Sequence, residues 1–152
     1  MADNILEKII KKKAIKIEKL KKTVDLKYLK EIIDAKNSFI DFKGKISENI
    51  KKDKISIIAE IKKASPSAGV IISDYNPVEI ANIYKKNNAT CLSVLTEEDF
   101  FLGKLDDISK IKKKIKLPIL CKDFFVDKIQ VPIAKSFGAD AILIILAGVK
   151  ES

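Results

Sequence analysis

ISIIAEI, residues 55–61, is a short β-branched apolar run with Lys54 before it and Lys62 and Lys63 after it. Runs of the same kind recur as TCLSVL (90–95), LPILC (117–121) and AILIIL (141–146). Near-continuous apolar runs of this length are the mark of strands buried on both faces. Between them lie amphipathic stretches at about residues 77–87, 105–114 and 131–137, so the order is β-α-β-α-β-α-β. Such an alternation demands a parallel sheet covered by helices. Both a doubly wound sheet and a barrel satisfy it, and periodicity does not separate them.

Outward from this core, Leu6, Ile9, Ile10, Ile17 and Leu20 fall mostly at three- and four-residue steps within residues 4–22, which predicts a helix. A second helix is expected over about 26–38, where Glu31 and Asp34 interrupt the basic face and favour packing on protein over a membrane surface. The polar segment SENIKKDK (47–54) follows, so residues 1–48 are read as a helical extension and 49–152 as the βα region. Asn76-Pro77-Val78-Glu79 combines a capping residue, Pro at the first helical position and Glu at the third. Asp127 with Gln130 offers another capping box, but Pro132 pushes that helix to start later; Gly138 ends it. AILIIL is expected to form a long uncharged edge that requires further strands beside it.

The formal charge of +9 raises nucleic acid as a partner, but every basic residue is Lys and Arg is absent. Without the bidentate residue, a recognition motif or interleaved aromatics, a solvated lysine surface is the better reading and no nucleic-acid partner is expected. The absence of His removes imidazole acid–base chemistry and His-ligated zinc. No metal is expected. Cys91 and Cys121 sit far apart inside apolar runs, as buried reduced thiols would. No apolar span suits a membrane, Asp3 and Glu7 interrupt any leader, and a cytoplasmic location is expected. The scattered glycines form no phosphate-cradling motif, so no nucleotide cofactor is expected.

Catalysis then rests on Lys and carboxylates. Glu60 and Lys62 are two residues apart, so in a strand they share a face near its C-terminal end. The alternative is a strand that stops before Glu60 and leaves both charges in solvent. LPILCKDF repeats the arrangement, putting Leu120, Lys122 and Phe124 on one face with the lysine directly after the apolar run. In parallel α/β folds the chemistry sits at those strand ends and the loops after them.

IIAEIKKASPSAG, SVLTEEDFFLGKL, LPILCKDFFVD and GADAILII, in this order, closely resemble the first four strands and following loops of the indole-3-glycerol phosphate synthases. The helical region before them resembles that family's N-terminal extension. The resemblance implies the first half of a (β/α)8 TIM barrel with an N-terminal helical extension. It implies a cofactor-free decarboxylating ring closure of 1-(2-carboxyphenylamino)-1-deoxyribulose 5-phosphate, a step of tryptophan biosynthesis. Lys122 matches the family's general acid, Lys62 the lysine that meets the substrate carboxylate, and Glu60 a carboxylate that orients these groups or accepts protons. Ser65, Pro66 and Ser93 match substrate-binding positions, and Phe101, Phe124 and Leu143 match apolar walls around the anthranilate ring. Ala68 and Lys104 depart from the family, where a lysine and a serine are usual. The second glutamate, the asparagine and the phosphate-binding loops belong to strands five to eight. The expectation is therefore half an active site, inactive alone, with a possible fused or separate C-terminal half-barrel as partner. A non-catalytic half-barrel that assembles with a second chain is the alternative.

Overall fold

A computed structural model describes residues 4–36 and 39–148. Helices α1 (Ile5–Lys21), α2 (Leu26–Lys36) and α3 (Phe42–Lys51) precede strand β1 (Ile58–Ile61). A hairpin, β2 (Ala64–Ser65) and β3 (Gly69–Val70), leads to α4 (Pro77–Lys86), β4 (Cys91–Leu95), α5 (Leu105–Lys114), β5 (Ile119–Lys122), α6 (Gln130–Ser136) and β6 (Ala141–Ile142). The large sheet runs β1-β4-β5-β6 with every pair parallel. Each strand is followed by a crossover and then by its neighbour, the order of the first four strands of a βα barrel.

Register explains which side chains meet. Ile61, Val94, Cys121 and Ile142 align across the sheet, as do Ala59, Leu92 and Ile119. These positions pack against Ala81 of α4, Ile108 and Ile111 of α5 and Ala134 of α6 to make the core. Each fully buried aliphatic side chain there contributes about 1.5–3 kcal/mol. Glu60, Ser93, Leu120 and Ala141 align on the opposite face. That face is partly open at its β1 margin, where Ile58 is 47% exposed.

Local chemistry sets the helix ends. The Asn76 side chain accepts from the Val78 and Glu79 N–H groups at 3.2 Å, with Pro77 at the first helical position. The Asp127–Gln130 box also forms: Gln130 Oε1 accepts from the Val126 and Asp127 amides, Asp127 accepts from Ile129, and α6 begins only at Gln130. α5 carries Asp106 and Asp107 in its first turn and Lys112, Lys113 and Lys114 in its last, matching the helix dipole at both ends.

Two sequence expectations are corrected. Two helices are expected before β1, but a third, α3, ends inside the polar segment 47–54, and its N-cap Asp41 accepts from Gly44 N–H at 2.9 Å. α3 has no fully buried residue, but Phe42, Ile46 and Ile50 recur every four positions along it, so a short apolar stripe and the Asp41 cap were both available signals. Asn49 at its end donates to Thr90 and Ser56, which places α3 at the N-terminal end of β1 and β4. AILIIL, expected as one long strand, is ladder-paired only over Ala141–Ile142, and Leu146–Gly148 turns as a 3₁₀ helix. Among the described residues nothing pairs with the far side of β6, and an extended segment lacking a second ladder has little to hold it straight.

Asp140 ties the extension to the sheet. Its carboxylate accepts from Ile40 N–H at 2.9 Å and Ile119 N–H at 2.7 Å, and it pairs with Lys112. Lys36 donates to the Ser136 carbonyl at 2.6 Å, and Lys135 sits 4.1 Å over the Phe39 ring, fastening the α2 region to α6. Among the described residues no helix is long and apolar enough to cross a membrane.

Candidate active site

β1 runs through Glu60 to Ile61, and Lys62 follows at once, so the strand does not end early. The Glu60 carboxylate accepts from both lysines: Oε1 lies 2.7 Å from Lys62 Nζ, and Oε2 is bonded to Lys122 Nζ. β1 and β5 are separated by β4, roughly two strand spacings of about 4.8 Å each, which long Glu and Lys arms can bridge. Ser93, 7% exposed and in register with Glu60 and Leu120, is the short side chain in the row between them. Tyr84 of α4 donates to the Glu60 carbonyl at 3.0 Å and fixes the strand from its other side.

Partial burial pushes the Glu60 carboxyl up, but hydrogen bonds and charge from Lys122 and Lys62 outweigh it, and its pKa lies below the ordinary value. Glu60 is therefore a carboxylate at neutral pH. The cluster holds two ammonium groups and one carboxylate, a net positive site suited to an anionic ligand, and both ammonium groups can move a proton.

The remaining expected residues lie around these strand ends. Phe101, in the loop after β4, and Phe124, after β5, approach with ring centroids 6.2 Å apart and planes tilted by 36°. Leu143 follows Ile142, the register partner of Cys121, and is therefore level with Lys122. Ser65 and Pro66 lie in the hairpin after β1. The Ser65 hydroxyl is engaged within that turn, accepting from Ala68 N–H at 3.2 Å and 3.4 Å from the Ser67 hydroxyl.

Sequence reading passed over the groups that hold the loops in place. Glu97, 2% exposed, accepts from the Asp99, Phe100 and Phe101 amides at 2.7–3.2 Å and so shapes the loop that carries Phe101. Gly103 N–H returns to the Glu97 carbonyl at 2.8 Å. Asp123 receives Lys13 from α1 at 2.6 Å, Thr96 Oγ1 at 2.8 Å and the Phe124 amide at 2.7 Å. An acidic residue one or two places past a buried strand was the available signal for both; nothing local points to Lys13. A cavity of about 230 Å³ lies under α1, lined by Lys13, Ile17, Thr96, Cys121, Asp123 and Phe125 among others. It belongs to the helix side of the sheet, and Glu60, Lys62 and Lys122 do not line it. Burial raises the thiols, Cys91 to about 11 and Cys121 to about 12, so neither is a ready nucleophile.

Comparison with known proteins agrees with this geometry. A family model described as indole-3-glycerol phosphate synthase matches residues 6–152. The chain is 45% identical over 147 residues to the indole-3-glycerol phosphate synthase of Clostridium acetobutylicum, covering 97% of this chain and 55% of that protein. It is 42% identical over 144 residues to that of Trichodesmium erythraeum (95% and 48%) and 46% identical over 146 residues to that of Prochlorococcus marinus (96% and 49%). The chain thus spans about half the length of the curated relatives it matches. With four parallel βα strands in barrel order, a Glu60-bridged lysine pair at their C-terminal ends and a family match over nearly its whole length, the chain belongs to the indole-3-glycerol phosphate synthase family.

Proposed function

We propose that this chain supplies the lysine-bearing half of the active site of an indole-3-glycerol phosphate synthase in tryptophan biosynthesis, acting in the cytoplasm. The substrate is 1-(2-carboxyphenylamino)-1-deoxyribulose 5-phosphate. The ring carbon bearing the carboxylate attacks the sugar carbonyl carbon, and Lys122 gives its proton to the carbonyl oxygen, which becomes a hydroxyl. The carboxylate then leaves as carbon dioxide and the ring regains aromaticity. Loss of that hydroxyl as water, with a proton from the adjacent carbon beside the nitrogen, completes the indole. Lys62 pairs with the substrate carboxylate and assists the dehydration, while Glu60 orients both ammonium groups and takes up protons. Phe101, Phe124 and Leu143 wall the anthranilate ring, which excludes water and strengthens the charges acting on it. Ser65, Pro66 and Ser93 complete the substrate contacts. The reading rests above all on the Glu60 carboxylate holding Lys62 and Lys122 together at the ends of two parallel strands.

In this reading residues 1–48 are the helical extension and 49–152 the first part of the barrel. Barrel phosphate sites commonly use the loops after strands seven and eight, so the phosphate of the substrate is bound by another half-barrel, in the same polypeptide or in a second chain. Without it the 152 residues turn nothing over. The exposed apolar side chains beside the sheet, Ile58 at its β1 edge and Leu146 in the turn after β6, favour such a complement. They equally suit a non-catalytic half-barrel that assembles with a second chain.

The test joins this chain to the remaining half of the Clostridium acetobutylicum relative in a host that lacks the synthase. Growth without tryptophan that disappears with Lys122→Ala is expected. A soluble, folded fusion that never supports growth overturns the catalytic reading and leaves the non-catalytic one.

A further inference from the structure

α1 makes three sets of ion pairs to the loops at the strand ends, and they differ in kind. Lys16 reaches Glu98 and Asp99, and Lys21 reaches Asp127, with lysine side chains 41% and 38% exposed. Exposed pairs of this sort constrain little. Lys13 and Asp123 are 9% exposed at both side chains and 2.6 Å apart. Two further donors from different parts of the fold converge on the same carboxylate: the Thr96 hydroxyl, just past β4, and the Phe124 amide. Thr96, 1% exposed, also gives its backbone N–H to the carbonyl of Lys122 at 3.0 Å. One buried residue therefore clasps Lys122 by its main chain and Asp123 by its side chain.

Asp123 sits between Lys122 and Phe124, and its side chain is directed to α1 while Lys122 reaches Glu60. A carboxylate this buried is tolerated only while its charge is matched. Without Lys13 the segment must shift to hydrate Asp123, and Lys122 and Phe124 would move with it. From this geometry we infer that the Lys13–Asp123 pair is a positioning device, which makes the placement of Lys122 and of the Phe124 ring conditional on α1 being seated. Lys13 and Asp123 act through their neighbours and do not touch substrate. The inference rests on the catalytic role assigned to Lys122 above.

The experiment compares Lys13→Met, Lys13→Arg and Lys21→Met, in the hybrid enzyme for turnover and in the chain itself for amide hydrogen exchange. Assays run well below each variant's unfolding midpoint, so that lost stability does not enter the rate. Lys13→Met is expected to lower kcat at least tenfold, with a smaller rise in KM from the displaced Phe124 wall, because Lys62 still meets the substrate carboxylate. It is also expected to speed exchange over residues 121–126. Lys13→Arg keeps the charge and is expected within threefold of the parent; Lys21→Met is expected to match it. If Lys13→Met does not fold, Asp123→Asn, which removes the charge and turns one accepting oxygen into a donor, is expected to show the same kcat loss and exchange. A kcat within twofold of the parent, or unchanged exchange over 121–126, overturns the inference. If the parent hybrid is itself inactive, the catalytic reading fails and exchange alone decides whether α1 positions this segment.

Discussion

Replacing Gly103 by alanine would put a methyl group where the backbone of β4 already is. A Cβ built on Gly103 lies 2.2 Å from the Leu95 carbonyl oxygen, 2.7 Å from the Leu95 carbonyl carbon and 2.9 Å from Thr96 Cα. All three are main-chain atoms of residues that are 1–2% exposed, so the loop must yield by about 1 Å to restore ordinary contact. Overpacking of this kind costs about 1–3 kcal/mol. The Gly103 N–H bond to the Glu97 carbonyl is lost with the shift, adding about 1 kcal/mol. The sum, roughly 2–4 kcal/mol, is a large share of the about 5–15 kcal/mol that holds a domain together. For a chain of this length it corresponds to a fall of roughly 4–16 °C in Tm. Gly69→Ala is the control: its Cβ meets nothing within 4 Å, and only its φ of +64° is at issue, a strain of about 1–2 kcal/mol. Thermal and urea unfolding followed by circular dichroism would rank the two. A Gly103→Ala variant no less stable than Gly69→Ala would refute the reasoning from close approach.

Other expectations follow from the charged cluster and the core. In the completed enzyme Lys122→Ala is expected to remove turnover while sparing the fold, and near-normal turnover would sink the acid role. Lys62→Ala is expected to weaken substrate binding as well as rate; unchanged values of both would reject its pairing with the carboxylate. The Glu60 pKa is depressed because Lys122 and Lys62 outweigh its desolvation, so its stabilising contribution is present above the unfolded carboxyl value of about 4.3 and is lost as pH falls through the lower folded value. The stability gap between the parent and Glu60→Gln is therefore expected to shrink as pH falls below the unfolded carboxyl value; a gap that widens in acid would contradict the ion pairs. Cys91 and Cys121, raised to about 11 and 12 by burial, are expected to react with a thiol reagent at pH 8 only after unfolding. Rapid labelling of the folded chain would show the core to be open.

Most strands and helices could be read from the sequence because their signals are local. Apolar runs at 90–95 and 117–121 became β4 and β5, and the helix expected over 105–114 is α5 to the residue. Asn76 and the Asp127–Gln130 box act through amides two to four residues away, so a short window contains the whole interaction. α3 escaped because its stripe is only Phe42, Ile46 and Ile50 and its last turn runs into the polar stretch 47–54, which masks the helix end. AILIIL misled because strand length depends on what pairs beside it, and a run of apolar side chains does not contain its neighbour.

The same division runs through the site. Strand alternation and position within an apolar run placed Glu60, Lys62 and Lys122 at strand ends. That Glu60 grips a lysine 62 positions away depends on β1 and β5 lying one strand apart in a twisted parallel sheet, a relation with no trace in local spacing. The bridge from Lys13 to Asp123, the Asp140 hub and the close approach of Gly103 to Leu95 are likewise long-range or main-chain contacts. A chain writes its periodicity and caps into neighbouring residues, whereas a buried ion pair exists only once distant segments are brought together and water is excluded from between them.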